Sequence, residues 1–332
     1  MAKIALPLEI LARLTEFPAI EAAKTIGHGS GAYTDYKAVR SQRALFGEIP
    51  ILGTIVSSEG KLDNSYRFVH GEIVGCGGEE VDIAVDPVDG TSLCAAGLDG
   101  AVSVVALGVR GSLMDAEETY MHKIAVGPKA RGVVRFDVNP AGNIRNVAEA
   151  MGKKATEFTV AILDRARNQP IIKAAREVGA MVKLLPAGDL MPAIATCMPQ
   201  SGIDMLYGSG GGPEGVIAAA ALKCLGGDFI GRLDKALSER EIKRSLDYDV
   251  DESPMDLDDL AGGACAVSIT AVTDAYFLKG VAYRGGRVYT ETFLARNTST
   301  YSINRSCRDL SRHNWQKYIE PDESVVRNRF LR

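Results

Sequence analysis

The second half of the chain alternates between two kinds of segment, and this alternation limits the possible folds more than any other feature. Amphipathic helical patterns and short apolar, β-branched runs follow one another from Asn143 to Leu225. Each segment must bury its apolar face against a neighbour, so the alternation predicts helices packed on a sheet. We expect helices at 143–152, 169–178, 189–197 and 213–225, and strands at 158–163, 181–186 and 203–207.

The first part of the chain predicts two helices and then three buried strands. Apolar residues recur at helical spacing from Leu8 to Thr25, and a second helix is expected from about residue 34 to 46. Thr34 or Asp35 is the expected N-cap of the second helix, after a flexible glycine-rich turn at 27–31. The strands are expected at 51–56, 81–86 and 101–108, each ending where polar or glycine residues begin.

The C-terminal part begins with a charged segment. Residues 234–259 carry many charges and few aromatic side chains, which predicts an exposed connection. Three further strands are expected at 264–271, 275–282 and 287–295, with turns at 273–274 and 285–286. A length of 332 residues suits one large domain or two closely packed ones, and we predict two, at 1–157 and 158–332.

Composition and charge disfavour several classes of protein. A hydrophobic fraction of 46% and a charged fraction of 24% are typical of a globular protein rather than a disordered or fibrous one. The formal charge is -4 and lysines and arginines are scattered, so no basic stripe predicts binding to nucleic acid. We find no secretory signal, no apolar run of membrane-spanning length and no zinc-ligand spacing among the six cysteines. We therefore expect a cytoplasmic protein with reduced thiols and no membrane partner.

The segment Val81–Thr91 is the main chemical signal. Its apolar residues predict a buried strand with Asp86 at its carboxyl end, where Pro87 is expected to stop the strand and Gly90 to allow a sharp turn. Asp86 and Asp89 would then converge. Two ionised carboxylates repel unless a cation lies between them, and carboxylate oxygens select hard ions such as Mg²⁺ or Mn²⁺. The helix start that follows would offer backbone N–H groups to a phosphate.

Other acidic residues bear on this interpretation. Asp-Pro and Asp-Gly pairs also occur as simple turn formers. Glu59 and Asp63, however, follow the strand at 51–56 in the same manner as Asp86 and Asp89 follow theirs. For Asp35 the role of a further ligand and that of an N-cap both remain open.

Two segments of the second half bear on ligand binding. The glycine-rich stretch Gly208–Gly215 lies between a predicted strand and helix, but its spacing does not match a dinucleotide fingerprint. Glu214, in the first turn of that helix, either complements the helix dipole or reaches a metal. Arg165 and Arg167 follow a predicted strand and are candidates to grip a second phosphate, with a solvated surface pair as the alternative.

Taken together, these residues resemble the class II fructose-1,6-bisphosphatases, including the bifunctional fructose/sedoheptulose bisphosphatases. That family is a branch of the inositol monophosphatase superfamily. The likeness runs from about residue 15 to 232 and resumes at 268–292. The strings that carry it are Gly53–Val56, Val81–Thr91, Tyr120–Met121 with Lys123, Asn143–Ala148, Cys197–Pro199 and Leu206–Val216.

The resemblance implies an α/β sugar-phosphatase fold, layered α/β/α/β/α, with metal and phosphate bound in 1–157 and sugar phosphate in 158–332. The implied metal ligands are Asp35, Glu59, Asp86, Asp89 and Glu214. The implied catalytic residues are Glu59, Asp63 and Thr91, of which Asp63 and Thr91 position or activate the attacking water. The implied substrate contacts are Asp89, Gly90, Thr91 and Ser92 at the cleaved phosphate, Tyr120, Arg165 and Arg167 at the distal phosphate, Gly188 and Asp189 at the sugar, and Gly211.

Some positions depart from the pattern of that family. The turn Gly27–Asp35 lacks the family's acid and lysine, Lys61 replaces an acid, and Ala166 and Ala187 replace a proline and an aspartate. We expect direct hydrolysis of the 1-phosphate of fructose 1,6-bisphosphate with Mg²⁺ or Mn²⁺, in a homodimer or homotetramer. The open alternatives are a sedoheptulose-1,7-bisphosphatase, an inositol-monophosphatase-like enzyme and a non-catalytic homologue that binds sugar phosphates.

Overall fold

The computed structural model describes residues 3–58, 66–116, 119–242, 246, 250–296 and 300–309, which form successive layers of helix, sheet, helix, sheet and helix. The helices are α1 (Leu8–Ala23), α2 (Gly31–Phe46), α3 (Thr91–Ala96), α4 (Pro140–Ala150), α5 (Gln169–Glu177), α6 (Leu190–Ala195), α7 (Gly212–Leu225), α8 (Lys235–Ile242) and α9 (Leu257–Leu260). The strands are β1 (Ile51–Ser57), β2 (Ile73–Val74), β3 (Glu79–Asp89), β4 (Val102–Val109), β5 (Tyr120–Val126), β6 (Thr159–Leu163), β7 (Met181–Leu185), β8 (Met205–Gly211), β9 (Asp228–Leu233), β10 (Cys265–Ala271), β11 (Ala282–Arg284), β12 (Arg287–Arg296) and β13 (Thr300–Asp309).

The first sheet has the strand order β11-β12-β10-β4-β3-β1-β2, and β13 also pairs with β12. Strands β1 and β3 run parallel, whereas the other neighbours run antiparallel. Helices α1 and α2 cover its outer face, where Leu14, Phe17 and Phe46 share an apolar cluster with Ile83 and Val105 of the sheet. This packing buries the apolar stripe that the helical spacing of α1 predicts.

The second sheet has the order β7-β6-β8-β5-β9, with α4 and α5 on its outer face. Helices α6 and α7 lie between the two sheets and share one apolar cluster with both. Helix α7 is buried on almost every side, which accounts for its run of alanines at 218–221, because small side chains let two sheets pack against one helix. The expected α/β/α/β/α fold is therefore confirmed. The division at residue 157 stays a prediction.

The elements expected between 143 and 225 are confirmed, with small shifts at their ends and an extension of β8 to Gly211. Helix α2, in contrast, begins before the expected N-cap residues. Ser30 is the N-cap, since its side chain accepts a hydrogen bond from the backbone N–H of Tyr33, and Thr34 and Asp35 lie inside the helix. Asp35 is thereby free of a capping role.

Two expectations for the C-terminal part are wrong. Residues 234–259 are not a mere exposed connection, because α8 and the start of α9 lie there and Leu237, Leu246 and Leu257 are buried. The expected strand at 275–282 is a turn closed by backbone hydrogen bonds between Ala275 and Leu278, and only 282–284 pair as β11. Widely spaced leucines within a charged segment are enough to dock short helices, which a composition argument overlooks.

Strands β5, β9 and β13 were not predicted from the sequence pattern. In β5 the polar residues His122 and Lys123 interrupt the apolar run, although Lys123 is itself buried. None of the described helices combines the length and apolar character needed to cross a membrane.

Candidate metal and phosphate site

The prediction that strand β3 stops at Pro87 is wrong, because the strand continues to Asp89 through a register irregularity. Asp86 pairs with Val104 of β4, whereas Asp89 pairs with Val102, so the segment from 86 to 89 is one residue longer than the facing segment of β4. In a regular strand, residues three apart point to opposite faces of the sheet. The extra residue places Asp86 and Asp89 on the same face, and a bulge is where a strand tolerates proline.

Glu214 joins these two aspartates from helix α7. It lies in the first turn of α7, and one carboxylate oxygen from each of Asp86, Asp89 and Glu214 lies within 4.8 Å of the others. All three side chains are buried, and Asp89 Oδ2 and Glu214 Oε2 have no hydrogen-bonding partner among the described residues. Gly211 makes room for this arrangement, since a Cβ there would lie 2.0 Å from Glu214 Oε2.

Burial and mutual repulsion make this cluster a site for positive charge. Burial, followed by the charges of Asp89, Glu214 and Asp35, raises the pKa of Asp86 well above its usual range. Burial, then Glu214 and Asp189, likewise raises the pKa of Asp89, while Lys123 opposes the shift. A set of hard oxygen donors with unsatisfied lone pairs fits a hard divalent cation rather than a soft metal.

Asp35 is not one of the three mutually close carboxylates of this cluster. Its carboxylate is buried, and its Oδ2 lies 2.8 Å from Nε of Arg67. Burial raises the pKa of Asp35, and the Arg67 charge opposes that shift. The negative charge of Asp35 contributes in turn to the raised pKa of Asp86. The role of Asp35 as a metal ligand stays a prediction, and Glu59 and Asp63 lie outside the described residues.

The turn after β3 directs the chain into α3. Gly90 adopts a left-handed conformation with φ +82°, and α3 begins at Thr91. The N–H groups of Thr91 and Ser92 thus belong to the first helical turn, where no carbonyl lies one turn before them in the helix. Gly31 packs on this turn, because a Cβ there would lie 3.3 Å from Thr91 Oγ1. The roles of Gly90, Thr91 and Ser92 at a phosphate stay predictions.

A pocket of about 250 Å³ brings Asp89 and Glu214 together with several of the other expected substrate residues, whereas Asp86, Gly90, Thr91 and Ser92 are not among the residues that line it. Its further lining includes Tyr120, Arg165, Arg167, Gly188, Asp189 and Gly211. Residues that are far apart in the chain, from β5, from the loops after β6 and β7 and from the β8–α7 junction, therefore meet in one place.

Arg167 is held firmly in the wall of this pocket. Its Nε donates to the carbonyl of Ser209 at 3.0 Å, its Nη1 donates to Glu241 at 2.9 Å, and its guanidinium lies 4.8 Å from the centre of the Tyr120 ring. Arg165 is exposed and donates to the carbonyls of Asp164 and Pro186. Both arginines therefore line the pocket, and Arg167 is the less exposed of the two.

Sequence reasoning assigned no role to Lys123 or Glu241, although both belong to this region. Lys123 Nζ lies 2.9 Å from Asp189 Oδ1 and 2.8 Å from Asp189 Oδ2, and both side chains are buried. A lysine within an apolar strand would have indicated such a partner, but β5 itself was not recognised. Gly210 contributes by leaving space, because a Cβ there would lie 2.1 Å from Asp189 Oδ2.

Comparisons with known proteins agree on one group. The family described as bacterial fructose-1,6-bisphosphatase, glpX-encoded, matches residues 5–307. The chain is 37% identical over 302 residues to fructose-1,6-bisphosphatase 1 class 2 of Escherichia coli strain K12, which covers 86% of this chain and 90% of that protein. It is 36% identical over 303 residues to the class 2 fructose-1,6-bisphosphatase of Haemophilus influenzae, covering 86% of this chain and 91% of that protein.

Proposed function

Because the chain belongs to the family of glpX-encoded bacterial fructose-1,6-bisphosphatases, we propose that it hydrolyses the 1-phosphate of fructose 1,6-bisphosphate. The products are fructose 6-phosphate and inorganic phosphate. The observation that carries the proposal is a single pocket whose lining combines Asp89 and Glu214 of the all-oxygen acidic cluster with Tyr120, Arg165 and Arg167. A sugar that carries two phosphates matches a pocket that offers both an acidic metal cluster and a pair of arginines.

The proposed cofactor is Mg²⁺ or Mn²⁺, held by Asp86, Asp89 and Glu214, with Asp35 and Glu59 as further ligands. The support is the orphaned, buried oxygen of both Asp89 and Glu214 and the absence of nitrogen or sulfur donors from the three-residue cluster. A divalent ion bound there supplies charge neutralisation at the phosphoryl oxygens and a lower pKa for a coordinated water.

The remaining proposed roles belong to residues of the chain itself. The backbone N–H groups of Gly90, Thr91 and Ser92 bind the phosphate that is cleaved, because an anion is stabilised at the start of a helix. The Thr91 hydroxyl and Asp63 align the attacking water along the line of the bond that breaks. No covalent enzyme intermediate is required.

The far side of the substrate is held by a second group of residues. Arg165, Arg167 and Tyr120 bind the distal phosphate through charge-assisted hydrogen bonds. Asp189 accepts hydrogen bonds from sugar hydroxyls, with Lys123 holding its carboxylate in place, and Gly188 and Gly211 let the sugar approach the backbone. Together these contacts place the 1-phosphate beside Asp86 and Asp89.

The proposed working form is a homodimer or homotetramer in the cytoplasm. The six cysteines are all unpaired, which is typical of a reducing compartment. Exposed aromatic side chains on β11, β12 and β13 supply apolar surface for contact between copies: Tyr283, Tyr289 and Tyr301.

The test is phosphate release by the purified protein from fructose 1,6-bisphosphate with Mg²⁺, with Mn²⁺ and with a chelator. We expect metal-dependent release that is lost in chelator. Sedoheptulose 1,7-bisphosphate and an inositol monophosphate, assayed in parallel, distinguish the alternative substrates. Calorimetric binding of sugar phosphates without any metal-dependent phosphate release would instead identify a non-catalytic binding protein.

A further inference from the structure

Glu241 places a carboxylate inside the part of the pocket that faces Arg167. It lies near the end of α8, lines the same pocket as Asp89 and Glu214, and its Oε2 accepts a hydrogen bond from Arg167 Nη1 at 2.9 Å. The Arg167 side chain in this pair is only 9% exposed. The negatively charged Glu241 thus engages one of the hydrogen-bond donors of Arg167.

The other contacts of Arg167 fix its guanidinium, so a bound phosphate would lie close to the Glu241 carboxylate. Its Nε is engaged by the carbonyl of Ser209 and its plane faces the Tyr120 ring, so the guanidinium is held in one orientation. A phosphate that binds Arg167 through two parallel hydrogen bonds needs two adjacent N–H donors. It must therefore displace the Glu241 carboxylate or lie beside it, and either arrangement weakens phosphate binding.

Glu241 also has a second cation within reach. Its Oε1 lies 3.5 Å from Nε of Arg240, and the Arg240 side chain is 64% exposed. The carboxylate can therefore leave Arg167 and remain paired on the outer surface of α8. Because Glu241 can pair with Arg240 instead of Arg167, its displacement by a phosphate costs less free energy. The carboxylate and the phosphate still compete for Arg167.

We propose that Glu241 is a specificity-determining residue that competes with the distal phosphate of the substrate for Arg167. The proposal rests on the proposed function, because it assumes that Arg167 binds that phosphate. Glu241 holds the guanidinium in place while the pocket is empty and sets the affinity for sugars with a distal phosphate. Glu241 does not affect the affinity for sugars that lack the distal phosphate.

The test compares the wild-type protein with Glu241→Gln, which keeps the size of the side chain and removes its charge. Calorimetry measures the Kd of fructose 6-phosphate, which carries only the distal phosphate, and phosphate release measures KM for fructose 1,6-bisphosphate and for fructose 1-phosphate. We expect the Kd and the KM for the bisphosphate to fall about tenfold, with kcat within about twofold and the KM for fructose 1-phosphate unchanged. Glu177→Gln, the same charge change at the far exposed end of α5, is the control and should change none of these values.

The outcomes separate the two proposals. Unchanged or weaker binding of fructose 6-phosphate by Glu241→Gln would overturn the competition, and so would an equal fall in KM for both hydrolysed sugars. If the wild type binds fructose 6-phosphate but releases no phosphate from the bisphosphate, the proposed hydrolysis fails, and the binding comparison still decides the role of Glu241. Thermal unfolding of both variants verifies that their folds are intact.

Discussion

Replacement of Asp86 by Asn should abolish activity and yet stabilise the metal-free protein. Oxygens of Asp86, Asp89 and Glu214 lie within 4.8 Å of one another, so each fully ionised pair repels by about 3.5 kcal/mol at an effective dielectric constant of about 20. Asn retains the oxygen that accepts the hydrogen bond from the backbone N–H of Val88, at 3.0 Å in the wild type. The substitution therefore removes repulsion without removing that contact.

Proton uptake by the cluster limits the gain, because carboxyls that repel each other bind protons instead. We expect Asp86→Asn to raise the free energy of unfolding by about 1–3 kcal/mol in chelator near neutral pH, or a Tm rise of roughly 2–6 °C. With Mg²⁺ or Mn²⁺ at about a hundred times its Kd, the wild type should gain about 2.7 kcal/mol, whereas the variant should gain much less. Its kcat should fall by orders of magnitude.

The assay is thermal unfolding with chelator and with each metal, combined with phosphate release. Asp137→Asn is the matched control, since Asp137 is exposed and pairs with Arg135 at the surface. That control should change Tm only slightly. An Asp86→Asn protein that is no more stable than the wild type in chelator would refute the reasoning, because the three carboxylates would then not be repelling one another. Near-normal turnover would refute the assignment of Asp86 as a ligand.

Three further predictions follow from contacts within the site. The metal-free protein should lose stability as pH rises above about 4, because Asp86 and Asp89 have a raised pKa in the folded protein and keep protons that the unfolded chain has already released. Thermal unfolding in chelator across pH measures this loss. A free energy of unfolding that rises with pH above about 4 would contradict the raised pKa values. Lys123→Met should lower the free energy of unfolding by about 3–5 kcal/mol in denaturant titrations, since Asp189 would be buried without its counter-charge, and an added Asp189→Asn should recover part of the loss. Gly211→Ala should reduce metal affinity and metal-dependent activity by about 10–100-fold with the fold intact, because the new methyl group would displace the Glu214 carboxylate. The control Gly47→Ala should leave metal affinity and activity unchanged. Equal activity of the two variants would show that the Glu214 carboxylate needs no fixed position.

Much of the fold could be predicted because the relevant signals are local. The alternation between Asn143 and Leu225 depends on the burial period of each element, which a short window of sequence contains. The same applies to the strand that delivers Asp86. The charged segment 234–259 was predicted wrongly because its few buried leucines are too widely spaced to dominate a local average.

The candidate site could be predicted only in outline. That Asp86 and Asp89 act together was inferred from their proximity in the chain, but the bulge at Pro87 that turns both to one face depends on pairing with β4. Likewise, Asp35 Oδ2 lies 2.8 Å from Nε of Arg67, a residue that lies outside α2 and its cap. Neither detail is a property of a single local pattern.

By itself, the sequence determined the layered α/β class, the acidic strand end and the residues that carry the family likeness, because all of these are written in short patterns. Only the tertiary structure decided which charges neutralise one another. Lys123 meets Asp189 across 66 positions of the chain, and Arg167 meets Glu241 across 74. Such pairs depend on how sheets and helices pack, since electrostatic energy follows distance in space and not separation in sequence.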